Sequence, residues 1–154
     1  MKETGKVFVK RKQIVTVCVA DRWFGIGMDR VQEIVKTLEI TPVCLMPRHI
    51  AGIVNLRGSI LTVIDLCALL MGETDPNRPN RYLLIVQEPN ERVGFLVEKV
   101  GDVLEMDDAA LFQPPANLLE QWRDVLVGVV QQKGKLIGIL DADRLLQTSM
   151  VPEE

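Results

Sequence analysis

Apolar residues in this chain fall in short β-branched runs, with few long helical stripes. Ile14 to Ala20, Ile60 to Ile64, Tyr82 to Gln87 and Val125 to Val130 are too short and too rich in valine and isoleucine for helices, so the pattern predicts strands there. Polar punctuation at Asp21-Arg22, Arg57-Gly58, Pro89-Asn90 and Lys133-Gly134 predicts turns, with glycine supplying the positive φ that a tight hairpin needs. Leu66 to Met71 and Ala142 to Thr148 predict short helices, opened by Asp65 and Asp141, whose carboxylates can cap the first free amides. Around Val31 two readings stand side by side. Val31, Ile34, Val35 and Leu38 make a helical face, whereas Ile34-Val35 fits a strand after one turn.

Sliding the sequence against itself exposes a repeat. At an offset of 69, Ile14-Val15-Thr16-Val17 lies on Leu83-Leu84-Ile85-Val86, Phe24-Gly25-Ile26 on Val93-Gly94-Phe95, and the segment from Asp29 to Val35 on that from Glu98 to Leu104. At an offset of 76, Gly52-Ile53-Val54 lies on Gly128-Val129-Val130, Arg57-Gly58 on Lys133-Gly134, and Val63-Ile64-Asp65 on Ile139-Leu140-Asp141. Two copies of about five short strands argue for two small barrels, since closure removes exposed edges. The expected units are about 13–72 and 81–148, joined by a linker at 73–80 that holds Pro76 and Pro79, and preceded by a basic tail at 1–12.

The size, 154 residues, suffices for one domain or two small subdomains and excludes a kinase or a large barrel enzyme. Net charge is −3, but five bases crowd into Met1 to Lys12, leaving 13 bases against 20 acids in the rest. An acidic body argues against a nucleic-acid platform; a small β-barrel nucleic-acid binder is favoured only by the tail. A ligand sensor using a groove between barrels is the other rival, disfavoured by few convergent polar groups. The longest stretch without a formal charge, Ala109 to Leu119, is broken by Pro114 and Pro115, and no secretory signal is evident, so the expected location is the cytoplasm. Cys18, Cys44 and Cys67 suit reduced core thiols better than a disulfide or zinc framework.

Catalytic chemistry finds little support. The one histidine, His49, beside Arg48 and Pro47, reads as a solvated turn residue. Asp141 and Asp143 read as helix caps and not as a calcium site, and Gly25-Ile26-Gly27 reads as strand because it lacks the third glycine and the strand-to-helix setting of a dinucleotide loop. What stands out is the hairpin Gly52-Ile53-Val54-Asn55-Leu56-Arg57-Gly58, where an Asn, an exposed Leu and an Arg crowd one turn. It reads either as an ordinary polar turn or as an interface hairpin projecting Arg57, with Glu33 as the natural acid to pair with it.

Val31-Gln32-Glu33-Ile34, then Asn55-Leu56-Arg57-Gly58 and Thr62-Val63-Ile64-Asp65-Leu66, resemble the CheW family of chemotaxis coupling proteins. The match continues through Val93-Gly94-Phe95-Leu96-Val97 and Asp102-Val103-Leu104 to the closing Leu136-Ile137-Gly138-Ile139-Leu140, covering about residues 13–148. The resemblance implies a mainly β fold of two five-stranded SH3-like barrels with short helices, one of them C-terminal, and neither catalysis nor a cofactor. It also implies two partners: the cytoplasmic tip of a chemoreceptor, and the regulatory domain of a CheA-type histidine kinase. No nucleic acid and no direct membrane insertion are expected, and recruitment to chemoreceptor arrays follows. Carried over by position, Glu33, Asn55, Arg57 and Gly58 match partner-binding positions, and Val31, Ile53 and Leu56 match their apolar surroundings. Arg11-Lys12, Trp23 and the Pro42 to Pro47 stretch are not constants of the family.

Overall fold

The structure, a computed structural model, describes residues 11–36, 39–73, 79, 82–107, 110–114, 117 and 120–149. Most of the basic tail (1–10) and of the linker (74–78 and 80), and Leu38, lie outside them. The first half runs β1 (Lys12–Val19), β2 (Arg22–Gly27), a 3-10 turn (Met28–Arg30), β3 (Val31–Lys36), β4 (Ile50–Leu56), β5 (Ser59–Asp65) and α1 (Leu66–Met71). The second runs β6 (Tyr82–Gln87), β7 (Arg92–Val97), β8 (Lys99–Met106), α2 (Glu120–Arg123), β9 (Leu126–Gln132), β10 (Lys135–Leu140) and α3 (Ala142–Ser149). The segment at Val31 is therefore a strand.

The fold is mainly β, with two five-stranded sheets ordered β8-β1-β2-β10-β9 and β3-β6-β7-β5-β4. Advancing each first-half strand to its repeat partner converts the second order into the first, so the internal repeat appears as a pseudo-twofold of the topology. The expected division into one barrel from 13–72 and another from 81–148 does not hold. The chain leaves the first sheet after β2 and enters the second at β3; after β7 it returns at β8, so each sheet takes strands from both halves. Sequence similarity between the halves marks which strands are equivalent and carries no signal for which strands pair.

This exchange explains the continuous apolar runs of β1 and β6. Val15, Val17 and Val19 of β1 and Leu84 and Val86 of β6 point into one core shared by the two sheets. Ile14 points the other way, onto Val130, Ile137 and Ile139 inside the first sheet, while Leu83 and Ile85 meet Val54, Leu61 and Val63 inside the second. A strand buried on both faces has no polar side to alternate with. Gly25 lets Ile14 pack closely inside the first sheet, since a Cβ there would lie 2.4 Å from Ile14 Cγ2.

Turn and cap chemistry follow the sequence closely. Arg57 and Gly58 (φ 50° and 88°) and Lys133 and Gly134 (φ 51° and 77°) hold two positive φ values in succession, as the two-residue hairpin turn matching strand twist requires. The first turn falls one residue earlier than expected, on Ala20 and Asp21 (φ 52° and 63°). Asp65 Oδ1 accepts from the amides of Cys67 (2.9 Å) and Ala68 (3.3 Å), and Asp141 Oδ1 from those of Asp143 (2.8 Å) and Arg144 (3.1 Å).

Two expectations are corrected. His49 is no solvated turn residue: it is buried, and its Nε2–H donates to the carbonyl of Ser149 at 2.7 Å, fastening the end of α3 beside the start of β4. Cys44 is exposed, not a core thiol, while Cys18 and Cys67 are buried. Burial, reinforced by the Glu98 carboxylate, pushes the Cys18 thiol above its ordinary value and suppresses the reactive thiolate. Iodoacetamide at about pH 8 should therefore alkylate Cys44 well ahead of the others, read by peptide mass spectrometry. Equal modification of Cys18 in the folded protein would contradict this packing. No helix among the described residues is long and apolar enough to cross a membrane.

Candidate functional site

The β4–β5 hairpin is rooted by its apolar residues and decorated at its tip. Val54 and Leu56 of β4 and Leu61 and Val63 of β5 are buried in the second sheet's own cluster. Leu56 is thus an anchor, 5% exposed, and not the exposed residue the sequence suggested. At the tip, Asn55 Oδ1 accepts from the Gly58 amide at 2.9 Å, and this local bond supports the positive φ at Arg57.

From this turn Arg57 reaches Glu33 on β3, its Nη2 donating to Oε1. β3 and β4 are the two edges of their sheet, so the ion pair joins one edge to the other and draws the sheet round on itself. A bulge makes the reach possible: β3 pairs Val31 with Val86 and Glu33 with Ile85, leaving Gln32 as the extra residue that turns Glu33. The Arg57 side chain keeps 64% of its surface exposed and that of Glu33 keeps 30%. A pair so open to water contributes only about 0–1 kcal/mol to folding. Its guanidinium retains donors facing solvent, available for planar recognition of a carboxylate or carbonyl.

The seven sequence-derived positions are only partly gathered. Glu33 and Arg57, and Asn55 and Gly58, form one constellation at the tip. Val31 packs half-buried on the shared core, and Ile53 is paired with Thr62 and bridged to Thr41. The apolar residues flanking the tip at the surface are instead Ile60, 62% exposed and paired with Asn55, and Ile34, 37% exposed. Alternation could have shown this: with Leu61 and Val63 inward, Ile60 leads the outward series, and Ile34 likewise alternates with Glu33 and Val35.

Arg30 is a further residue that the sequence did not mark. Standing where the chain crosses between sheets, it donates from Nη2 to Glu88 Oε2 at 2.6 Å and from Nη1 to Asp143 Oδ1 at 2.5 Å. It ties the crossover both to the end of β6 and to α3. The hydrogen bond to Asp143 above all holds its guanidinium protonated. No group of three or more His, Cys, Asp or Glu among the described residues is placed to hold a metal ion.

A family model described as "CheW-like domain" matches residues 13–150. The chemotaxis protein CheW of Thermotoga maritima is 25% identical over 145 residues, covering 94% of this chain and 94% of that protein. The CheW of Rhizobium meliloti is 29% identical over 134 residues, covering 86% and 85%. Among solved structures, the scaffolding protein TtCheW from Thermoanaerobacter tengcongensis superposes with a TM-score of 0.73 at 28% identity, covering 84% of this chain and 83% of that one.

Proposed function

Because the chain belongs to the CheW family, its CheW-like domain spanning residues 13–150, we propose that it is a non-catalytic adaptor coupling a chemoreceptor to a CheA-type histidine kinase in chemosensory signalling. Residues 13–148 act as one unit, in the cytoplasm and recruited to receptor arrays. Signalling through such a part depends on geometry and affinity, with no turnover of its own.

One observation carries the reading. Arg57 and Glu33 close the rim of the second sheet and remain open to water, with Ile34 and Ile60 exposed beside them. Charged donors around exposed aliphatic groups, on a hairpin anchored by buried residues, are what a protein interface uses. Glu33, Asn55, Arg57 and Gly58 form the polar part of this contact. The buried Leu56 supports it from beneath, with Val31 and Ile53 half-buried.

Calorimetric titration of the purified chain with the regulatory domain of the kinase from its own pathway tests the reading. Saturable binding is expected in buffer without nucleotide and with chelator, since neither nucleotide nor metal takes part. Absence of heat at high micromolar concentration, with both proteins folded, would remove the kinase from the partners.

A further inference from the structure

The pseudo-twofold places Asp102 where the second sheet has Glu33, and Lys133 where it has Arg57, yet the first sheet builds something different there. No ion pair joins Asp102 to Lys133 among the described residues. Instead both line a cavity of about 170 Å³, with Trp23 in its wall. Lys135 Nζ stands 5.4 Å from the Trp23 ring centroid. Glycine at residue 101 lets Thr16 and Trp23 close onto this wall: a Cβ there would lie 2.6 Å from Thr16 Oγ1 and 2.7 Å from Trp23 Cζ3. The repeat-equivalent position holds Gln32, on the matching bulge.

We propose that this cavity is a second docking site, which takes one apolar side chain of an acidic segment of a partner protein. At about 170 Å³ it falls below the roughly 300–1,000 Å³ that encloses a drug-sized ligand, and one side chain suits it. Trp23 offers an aromatic face to that side chain. Lys133 and Lys135 against the single carboxylate Asp102 leave the rim net positive, complementary to acids on either side of the anchor. The proposal rests on the adaptor reading only for the partner's being a protein, and it is separate from the Arg57 tip, which lies on the other sheet.

Nitrogen-proton correlation spectra of the labelled full chain test it, with three blocked pentapeptides as probes: leucine flanked by two glutamates on each side, serine in the same acidic frame, and leucine flanked by lysines. The acidic leucine peptide should shift the Trp23 indole N–H and the Gly101 amide saturably, and the other two should leave them in place. Lys135→Glu, an exposed change that spares the fold, should raise the dissociation constant about tenfold or more. Trp23→Ala, removing the aromatic wall, should abolish the shift of the Gly101 amide while the remaining amides keep the dispersion of the folded chain. No shift of Trp23 with the acidic leucine peptide, or equal shifts with all three, would overturn the proposal. Neither result bears on kinase binding through Arg57, which the calorimetric titration reads separately.

Discussion

Trp122→Ala is expected to lower stability by about 3–5 kcal/mol, the cost of emptying a large aromatic site in a core. Trp122, on α2, is 9% exposed and sits edge-on to Phe24 of β2, with ring centroids 5.7 Å apart. Its Nε1–H donates to the carbonyl of Leu70 in α1 at 2.6 Å, and the Arg22 guanidinium lies 5.3 Å from its ring centroid. One side chain therefore joins α1 and α2 to β2 at the shared core. Trp122→Phe keeps most of the packing but leaves the Leu70 carbonyl without its donor, so about 1–2 kcal/mol should be lost. Urea unfolding reads both, with a falling midpoint at an unchanged slope. A loss below about 1 kcal/mol for the alanine variant would show that α2 stands outside the cooperative core.

Arg57→Glu should act in the opposite sense, sparing the fold and removing coupling. The side chain is mostly exposed and its ion pair is worth little to folding, so replacement by alanine should cost roughly 0.5 kcal/mol or less. Reversal also sets a carboxylate against Glu33 and against whatever acceptor the partner offers. Binding to at least one partner should weaken by about 2 kcal/mol, near thirtyfold, because truncating an interface arginine strands the groups it served. The exchange Glu33→Arg with Arg57→Glu separates the two roles: it restores the pair within the chain and should leave partner binding weak. A large fall in melting temperature for Arg57→Ala would make the residue structural, and unchanged affinity with normal folding would strip the turn of its role.

Local features of this fold were legible because local chemistry sets them. β-branched runs located the strands, Arg57-Gly58 and Lys133-Gly134 the hairpins, and Asp65 and Asp141 the helix starts. What sequence could not show are contacts between residues far apart along the chain. His49 meets Ser149, 100 residues on, and Arg30 meets Asp143, 113 residues on; nothing near either residue announces its partner. The exchange of strands between halves was hidden for a related reason. Sheet membership depends on whether the chain turns back at the Met28–Arg30 corner or crosses, and both courses bury the same apolar pattern. At the candidate site, the pairing of Glu33 with Arg57 was foreseen from charge. The burial of Leu56 was not, because a leucine beside a tight turn can face either way until the strand's pairing is known.

The adaptor reading is tested most directly by kinase autophosphorylation in membranes that carry the pathway's chemoreceptor, with the chain titrated from zero to saturation. Phosphorylation should rise with added chain only when receptor is present, reach a plateau, and fail to rise with Arg57→Glu at the same concentration of folded protein. A rise of equal size without receptor, or none with receptor, kinase and folded wild-type chain together, would contradict the account.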